Sequence, residues 1–143
     1  MQVGFTGTRR GMTADQYVRV NELMERWPDV KWAHHGMCEG ADAQFHMLVT
    51  SRGIPTHGHP GVLPGGHPLG RATVQCTVTE DDNLMLVRNR KIVRSVDLMI
   101  ATPGEYRNVA RGSGTWMTIR YAKSFKRWLI VVWPDGSISE YKP

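Results

Sequence analysis

Residues 3–9 read VGFTGTR, a short apolar run that leads directly into a glycine turn. The run has the length of a buried strand, and Gly7 permits the tight turn that ends it. Thr13 and Gln16 then resemble a capping box, the reciprocal hydrogen bonding that begins many helices. The segment therefore predicts a strand, a turn and a helix, the opening unit of an α/β fold.

The same alternation continues along the chain. Further strands are predicted over residues 30–34, 54–57, 97–101, 128–133 and 137–141, and further helices over residues 41–49, 83–96 and 113–123. This order predicts a Rossmann-like three-layer α/β fold, with a mostly parallel sheet between helices. Residues 58–70 hold five glycines and three prolines, so we expect a loop there. The length of 143 residues suits a single domain over 1–143, and we expect no effector domain beside it.

The composition is that of an ordinary globular protein, with 41% hydrophobic and 22% charged residues. The N-terminus has no basic lead and no apolar signal core, which predicts a cytoplasmic location. Cys38 and Cys76 are too few for a disulfide framework, so we expect free thiols. Six histidines fall between His34 and His67 without a recognised metal-ligand spacing, so we expect neither a metal nor a resident cofactor.

The net charge of +5 is unevenly distributed. Residues 1–70 carry 6 basic and 6 acidic groups, whereas residues 71–143 carry 12 basic and 7 acidic groups. Most of the basic residues are arginines, whose planar fork suits phosphate. Two interpretations remain open at this point, a solvated basic face and a local anion site in the second half.

Glycine-containing turns follow several predicted strands, at residues 6–9, 35–42 and 102–105, and another, at residues 111–115, precedes the last long helix. The carboxyl ends of parallel strands share one edge of the sheet, where ligands bind in such folds. Backbone N–H groups at a helix start form an anion site there. Neither GxGxxG nor GxxxxGK[ST] occurs, so the common dinucleotide fingerprint and the P-loop are both excluded.

Four segments carry a family resemblance: GFTGTRR at 4–10, HHGMCEGADAQFH at 34–46, RNRKIVRSVDLMIATP at 88–103 and RGSGTWMTIRYAK at 111–123. In order and spacing they resemble the SLOG superfamily, which joins the Smf/DprA DNA-processing proteins to the LOG-type nucleotide phosphoribohydrolases. The resemblance covers about residues 2–134 and is greatest to short standalone members often found in bacteriophages. It implies a nucleotide-binding domain that forms homo-oligomers through its helices, in the host cytoplasm if phage-encoded.

The branches of the superfamily differ in function. LOG enzymes carry a catalytic glutamate three positions after the threonine of GGxGT, and that position is Thr118 here, which argues against the LOG reaction. Glu39, Asp42 or Glu105 could still supply a carboxylate, so a nucleotide N-glycosidase remains an alternative. A single-stranded nucleic-acid binder is a further alternative, although no aromatic residues are interleaved with the basic residues of 88–94.

The remaining branch is suggested by SLOG domains of antiviral systems such as Thoeris, which sense cyclic ADP-ribose-type messengers. By resemblance, the chain would capture such a messenger without cleaving it and act as a phage anti-defence sponge. Three arginines are predicted as charge partners of phosphate, namely Arg9, Arg90 and Arg111. The predicted phosphate loop and its hydroxyl donors are Thr8, Gly112, Ser113, Gly114 and Thr115. Contacts to the ribose, the base or other parts of the ligand are assigned to His35, Gly36, Glu39, Asp42 and Asn89.

Overall fold

The computed structural model describes residues 1–68 and 70–143, and over these it alternates strands with helices. The strands are β1 Gln2–Gly7, β2 Trp32–His35, β3 Thr56–Gly58, β4 Gly61–Val62, β5 Val78–Thr79, β6 Asn83–Leu84, β7 Leu98–Thr102, β8 Trp128–Val132 and β9 Ile138–Tyr141. The helices are α1 Ala14–Arg26, α2 Ala41–Ser51, α3 Met85–Ser95 and α4 Gly114–Ser124. Within the described part of the chain, no helix is long and apolar enough to cross a membrane.

The main sheet has the strand order β5-β3-β2-β1-β7-β8-β9 in the described residues. Its pairings are parallel except for β9, which runs antiparallel to β8 at the edge. The chain builds one half outward from β1, crosses over through α3 and continues from β7 on the other side of β1. This arrangement confirms the predicted Rossmann-like α/β fold with a mostly parallel sheet.

Alternating side chains of the central strands divide the core into two apolar layers. Phe5 of β1 faces α1 and α2 and stacks on Phe45, with ring centroids 4.4 Å apart. Met99 and Leu129 face the opposite layer, where they pack with residues of α3 and α4 such as Ile119. Because successive residues of a strand point to opposite faces, a strand buried on both sides must be apolar throughout.

Local sequence signals place the starts of α1 and α4 correctly. Thr13 accepts from the backbone N–H of Gln16, and the Gln16 side chain accepts from the N–H of Thr13, which completes the predicted capping box. The Ser113 hydroxyl accepts from the backbone N–H of Trp116 at 3.2 Å and caps α4 as predicted.

The region around residues 58–84 differs from the sequence prediction. The helix predicted from residue 83 begins at Met85, because Asn83–Leu84 forms β6 and pairs with Gly61–Val62 in a separate two-stranded sheet. The loop predicted over 58–70 therefore contains β4, and its Leu69 lies outside the described residues. The short edge strand β5 was not predicted either. These strands are specified by partners about 20 residues away, which a local pattern does not encode.

Candidate functional site

A cleft of about 570 Å³ lies at the carboxyl ends of β1, β2 and β7. Its walls are the turns after these strands and the first turns of α3 and α4. The strand order reverses at β1, so the cleft occupies the topological switch point at which open α/β sheets bind ligands. The volume falls within the usual range for small-molecule pockets.

Most of the predicted binding residues line this cleft. They are Thr8, Arg9, Gly36, Asp42, Asn89, Gly112, Ser113, Gly114 and Thr115. Four others do not line it in the described structure, namely His35, Glu39, Arg90 and Arg111. The shared position agrees with the argument that strand-end turns meet at one edge, while a binding role for each residue stays a prediction.

The four residues outside the cleft have other environments. His35 is fully buried, and its ring contacts His46 at 2.9 Å. Glu39 and Arg111 are exposed. Arg90 is also exposed, and its guanidinium lies over the Tyr121 ring of α4, 5.3 Å from the centroid.

The sequence of residues 88–94 contains no aromatic residue, but the fold brings aromatic rings from another segment to the basic residues of α3. Arg90 and Arg94 both lie over Tyr121, and Arg94 and Arg127 lie over Phe125. Tyr121 belongs to α4 and Phe125 directly follows it. Because α4 packs beside α3, the sequence around Arg88–Arg94 could not reveal these rings. The guanidinium groups cover ring faces on which a nucleic-acid base would stack.

The sequence analysis missed Arg88 as a cleft residue, although a signal for it exists. On α3, positions 85, 88, 89 and 92 recur at helical spacing and line the cleft, while position 90 falls on the opposite side. This periodicity groups Arg88 with Met85 and Ile92 on one face of the helix, but it does not say which face borders the cleft. Other missed cleft residues include Thr6, Arg10, Cys38, Met85 and Thr118.

Arg88 is a buried arginine that ties α3 to the turn after β2. Its Nη1 donates to the carbonyl oxygens of Gly36 at 2.5 Å and of His59 at 2.9 Å. Its Nε donates to Asn89 Oδ1 at 2.8 Å, and this bond orients the amide of Asn89 within the cleft. The guanidinium is thus held by three oxygen acceptors of the protein, whereas an exposed arginine would bond to water instead.

Asp42 is the buried acid on the other side of the same turn. Its Oδ2 accepts from the backbone N–H groups of Gly36 at 3.0 Å and Cys38 at 3.2 Å. Burial raises the pKa of Asp42 to about 6, while the positive charge of Arg88 and the two N–H donors act in the opposite direction. The cleft therefore holds a carboxyl group that changes its charge close to neutral pH.

Position 36 leaves no room for a side chain, because Arg88 and Asp42 lie against the glycine from two sides. A Cβ atom at this position would overlap Arg88 Nη1 and lie 3.0 Å from Asp42 Oδ2. We therefore expect Gly36→Ala to lower the free energy of unfolding by about 1–3 kcal/mol, as overpacking does.

Urea denaturation would measure this loss. Gly114→Ala is the matched control, because its Cβ would meet only Asn89 Nδ2, at 3.9 Å. Alanine is also the better helix former, so this control should keep or slightly raise stability. Equal stability of the two variants would contradict the close packing of Arg88 against Gly36.

The start of α4 forms another wall of the cleft. Thr118 lines the cleft one turn into this helix, and its hydroxyl donates to the carbonyl oxygen of Gly114 at 2.8 Å. Glu105 lies nearby, where Arg10 Nη2 donates to its Oε1 at 2.8 Å and Trp116 Nε1 donates to its Oε2 at 3.3 Å. The position at which LOG enzymes carry the glutamate thus faces the cleft, and it presents a hydroxyl already bonded to its own helix.

Comparisons with known proteins identify the fold. No family model matches the chain, and no curated protein is significantly similar to it in sequence. Among solved structures, the molybdenum cofactor binding protein of Rippkaea orientalis superposes with a TM-score of 0.66 at 17% identity, covering 92% of this chain and 76% of that one. The molybdenum cofactor carrier protein of Chlamydomonas reinhardtii gives a TM-score of 0.62 at 19% identity, covering 91% and 74%.

A third structure of the same fold is DNA processing protein A (DprA) of Streptococcus pneumoniae. It gives a TM-score of 0.62 at 16% identity, over 91% of this chain and 49% of that chain. The chain shares a Rossmann-like α/β fold with these neighbours, and its membership of the SLOG superfamily stays a prediction. At such identities the likeness concerns the fold, so the assignment to short phage-type members stays a prediction.

Proposed function

We propose that this chain is a ligand-binding SLOG-like domain that holds a nucleotide-derived, phosphate-bearing small molecule in the cleft. The observation that carries the proposal is the position of residues 112–115 at the start of α4, which line the same cleft as Arg88 and Asn89. Backbone N–H groups and the helix dipole attract phosphate at the start of α4, and the fixed guanidinium of Arg88 adds positive charge to the same cleft. Arg9 contributes a second cation at the cleft.

The specific form of the proposal is capture without cleavage of a cyclic ADP-ribose-type signal, as an anti-defence sponge. Support comes from the SLOG-like sequence segments and from Thr118 in the place of the LOG glutamate. The Thr118 hydroxyl is bonded to Gly114, so it does not replace a carboxylate in glycoside cleavage. A protein that binds such a signal and leaves it intact would lower the free concentration available to a sensor.

Calorimetry with cyclic ADP-ribose isomers, followed by recovery of the ligand after heat denaturation, tests both parts. We expect saturable binding and release of intact ligand. Gly114→Ala should weaken binding at least tenfold, because its methyl group would project toward Asn89 where the phosphate approaches the backbone. The stability of this variant separates a binding effect from a folding effect.

Three results would contradict this proposal. Recovery of a degraded ligand would exclude a sponge, and affinity that is unchanged in Gly114→Ala would exclude the α4 phosphate site. Binding of molybdenum cofactor in preference to nucleotides would keep a ligand-binding domain but reject the nucleotide.

A steep salt dependence of oligonucleotide affinity would instead favour the nucleic-acid alternative. Light scattering tests the expected homo-oligomer.

A nucleotide N-glycosidase is the second candidate function, and the position of Asp42 favours it. This carboxyl lines the cleft, and burial raises its pKa to about 6, a value suited to a general acid near neutral pH. Incubation with a panel of nucleoside monophosphates would release free base from the wild-type protein but not from Asp42→Asn. A panel without turnover would remove this candidate.

A further inference from the structure

Three histidines form a cluster on the sheet outside the cleft. His34 of β2 and His57 of β3 are register partners, and their rings lie parallel with centroids 4.7 Å apart. His59 follows β3, and its Nε2 lies 2.8 Å from His34 Nδ1. One ring nitrogen from each histidine lies within 4.8 Å of those of the other two. None of the three lines the described cleft.

We propose that His34, His57 and His59 bind a divalent transition-metal ion of the zinc type. Three imidazoles form a common ligand set for such ions, and a solvent molecule or an exogenous ligand would take the fourth position. Tetrahedral zinc at about 2.0–2.1 Å from each nitrogen places its ligand nitrogens about 3.3 Å apart. Closing the cluster therefore requires ligand nitrogens that are up to 4.8 Å apart to approach by up to about 1.5 Å, with a turn of the His57 ring out of the parallel stack.

The hydrogen bonds around two of the rings leave the inward nitrogens free to coordinate. His34 Nε2 lies 2.6 Å from Gln2 Oε1, an acceptor that fixes the proton on Nε2 and leaves a lone pair on Nδ1. His57 Nδ1 lies 3.1 Å from Glu80 Oε1, which in the same way leaves a lone pair on Nε2. Metal-binding histidines characteristically donate their second N–H to a carboxylate or carbonyl oxygen.

His59 differs from the other two histidines, because its second ring nitrogen has no acceptor among the described residues. The residue is 5% exposed, and its Nδ1 is a buried nitrogen with no hydrogen-bond partner in the described structure. Without an ion, His34 Nδ1 must accept from His59 Nε2–H. An ion would replace this shared proton, and His59 would then carry its proton on Nδ1, where no acceptor faces it in the described structure, a cost that the bond to the metal must offset.

A second group, formed by His35, His46 and Cys76, lies on the opposite face and is less suited to a metal. The backbone N–H of Met37 donates to His35 Nδ1 at 3.0 Å, so the neutral ring carries its proton on Nε2. That N–H then donates to His46 Nδ1 at 2.9 Å, so the Nε2 atom of His35 has no lone pair for an ion. Burial also raises the pKa of Cys76, which disfavours the thiolate that zinc requires.

Zinc titration of the chelator-treated full chain tests the proposal, with competition against a colorimetric chelator as the readout. We expect one Zn²⁺ per chain, and at least tenfold weaker binding by His57→Gln. Glu80→Gln should weaken binding about 10–100-fold, as loss of an outer-shell acceptor does. His57 and Glu80 are partly exposed, so both variants should fold, which thermal unfolding checks.

Two control variants make the site specific. Cys76→Ser and His67→Gln should bind Zn²⁺ within twofold of wild type, because the first belongs to the other group and the second is exposed on a loop. The absence of micromolar zinc binding by the folded protein would overturn the proposal. Zinc binding that is lost in Cys76→Ser but kept in His57→Gln would also overturn it and assign the ion to the opposite face.

Discussion

Replacing Arg88 by methionine should lower the free energy of unfolding by about 3–5 kcal/mol, the usual effect of removing one partner from a buried charged centre. The substitution keeps most of the side-chain volume, so the loss reports on the guanidinium and not on a cavity. Without it, the carbonyl oxygens of Gly36 and His59 lose a charged donor in the interior. Asp42 would also lose the positive charge that partly offsets the effect of burial on its pKa.

Arg90→Met is the matched control for this experiment. Arg90 is two positions away on the same helix, is exposed and contacts only the face of Tyr121 among its described interactions. An exposed cation–π contact contributes about 0.5–1 kcal/mol. Urea denaturation at pH 7.5 should therefore separate the two variants clearly. If Arg88→Met is no less stable than Arg90→Met, the buried centre does not hold α3 to the turn after β2.

A double variant tests the coupling between Arg88 and the buried acid. Asparagine at position 42 retains an oxygen for the N–H groups of Gly36 and Cys38 and carries no charge. The loss in Arg88→Met/Asp42→Asn should thus be smaller than the sum of the single losses, by about 0.5–3 kcal/mol. Strict additivity would show that the two groups act independently.

Acidification of the metal-free protein should unfold it between about pH 6 and pH 4. Burial lowers the pKa of His34 and His35 to about 3 and that of His59 to about 4. An unfolded histidine titrates near 6.5, so between these values the unfolded state binds more protons and stability falls as the pH falls. Each histidine contributes about 1.4 kcal/mol per pH unit within that window.

The protonation of Asp42 favours the folded state over part of this range, opposite to the effect of the histidines. Its pKa of about 6 in the fold lies above the ordinary carboxyl value, so the folded state binds the extra proton between about pH 4 and pH 6. One carboxyl offsets one of the three histidines. The net loss should be about 3 kcal/mol per pH unit, which exceeds the stability of a typical domain within two to three units.

Urea denaturation at a series of pH values, in the presence of a chelator, measures this slope. His34→Gln should reduce the slope by about one proton, whereas His67→Gln should leave it unchanged because His67 is exposed and outside the cluster. A free energy of unfolding that stays constant from pH 7 to pH 4.5 would show that the histidines are not buried as neutral rings.

The sequence by itself determined the elements and their layering. Thr13 with Gln16, Ser113, and the apolar segment of β8 are local signals, because a cap or a buried strand is specified by residues within one turn or one run. The alternation of these elements was enough to predict the three-layer fold. It also placed most candidate residues correctly at one edge, since the carboxyl ends of parallel strands necessarily meet there.

Only the tertiary structure decided which side chains share a site. Arg88 enters the cleft and Arg90 does not because the packing of α3 on the sheet orients the helix, and that packing involves β1 and α4. The pairing of His34 with His57 depends on the register between β2 and β3. A shift of one residue would place these rings on opposite faces. Register and helix orientation are set by contacts between distant segments, so no local pattern in the sequence encodes them.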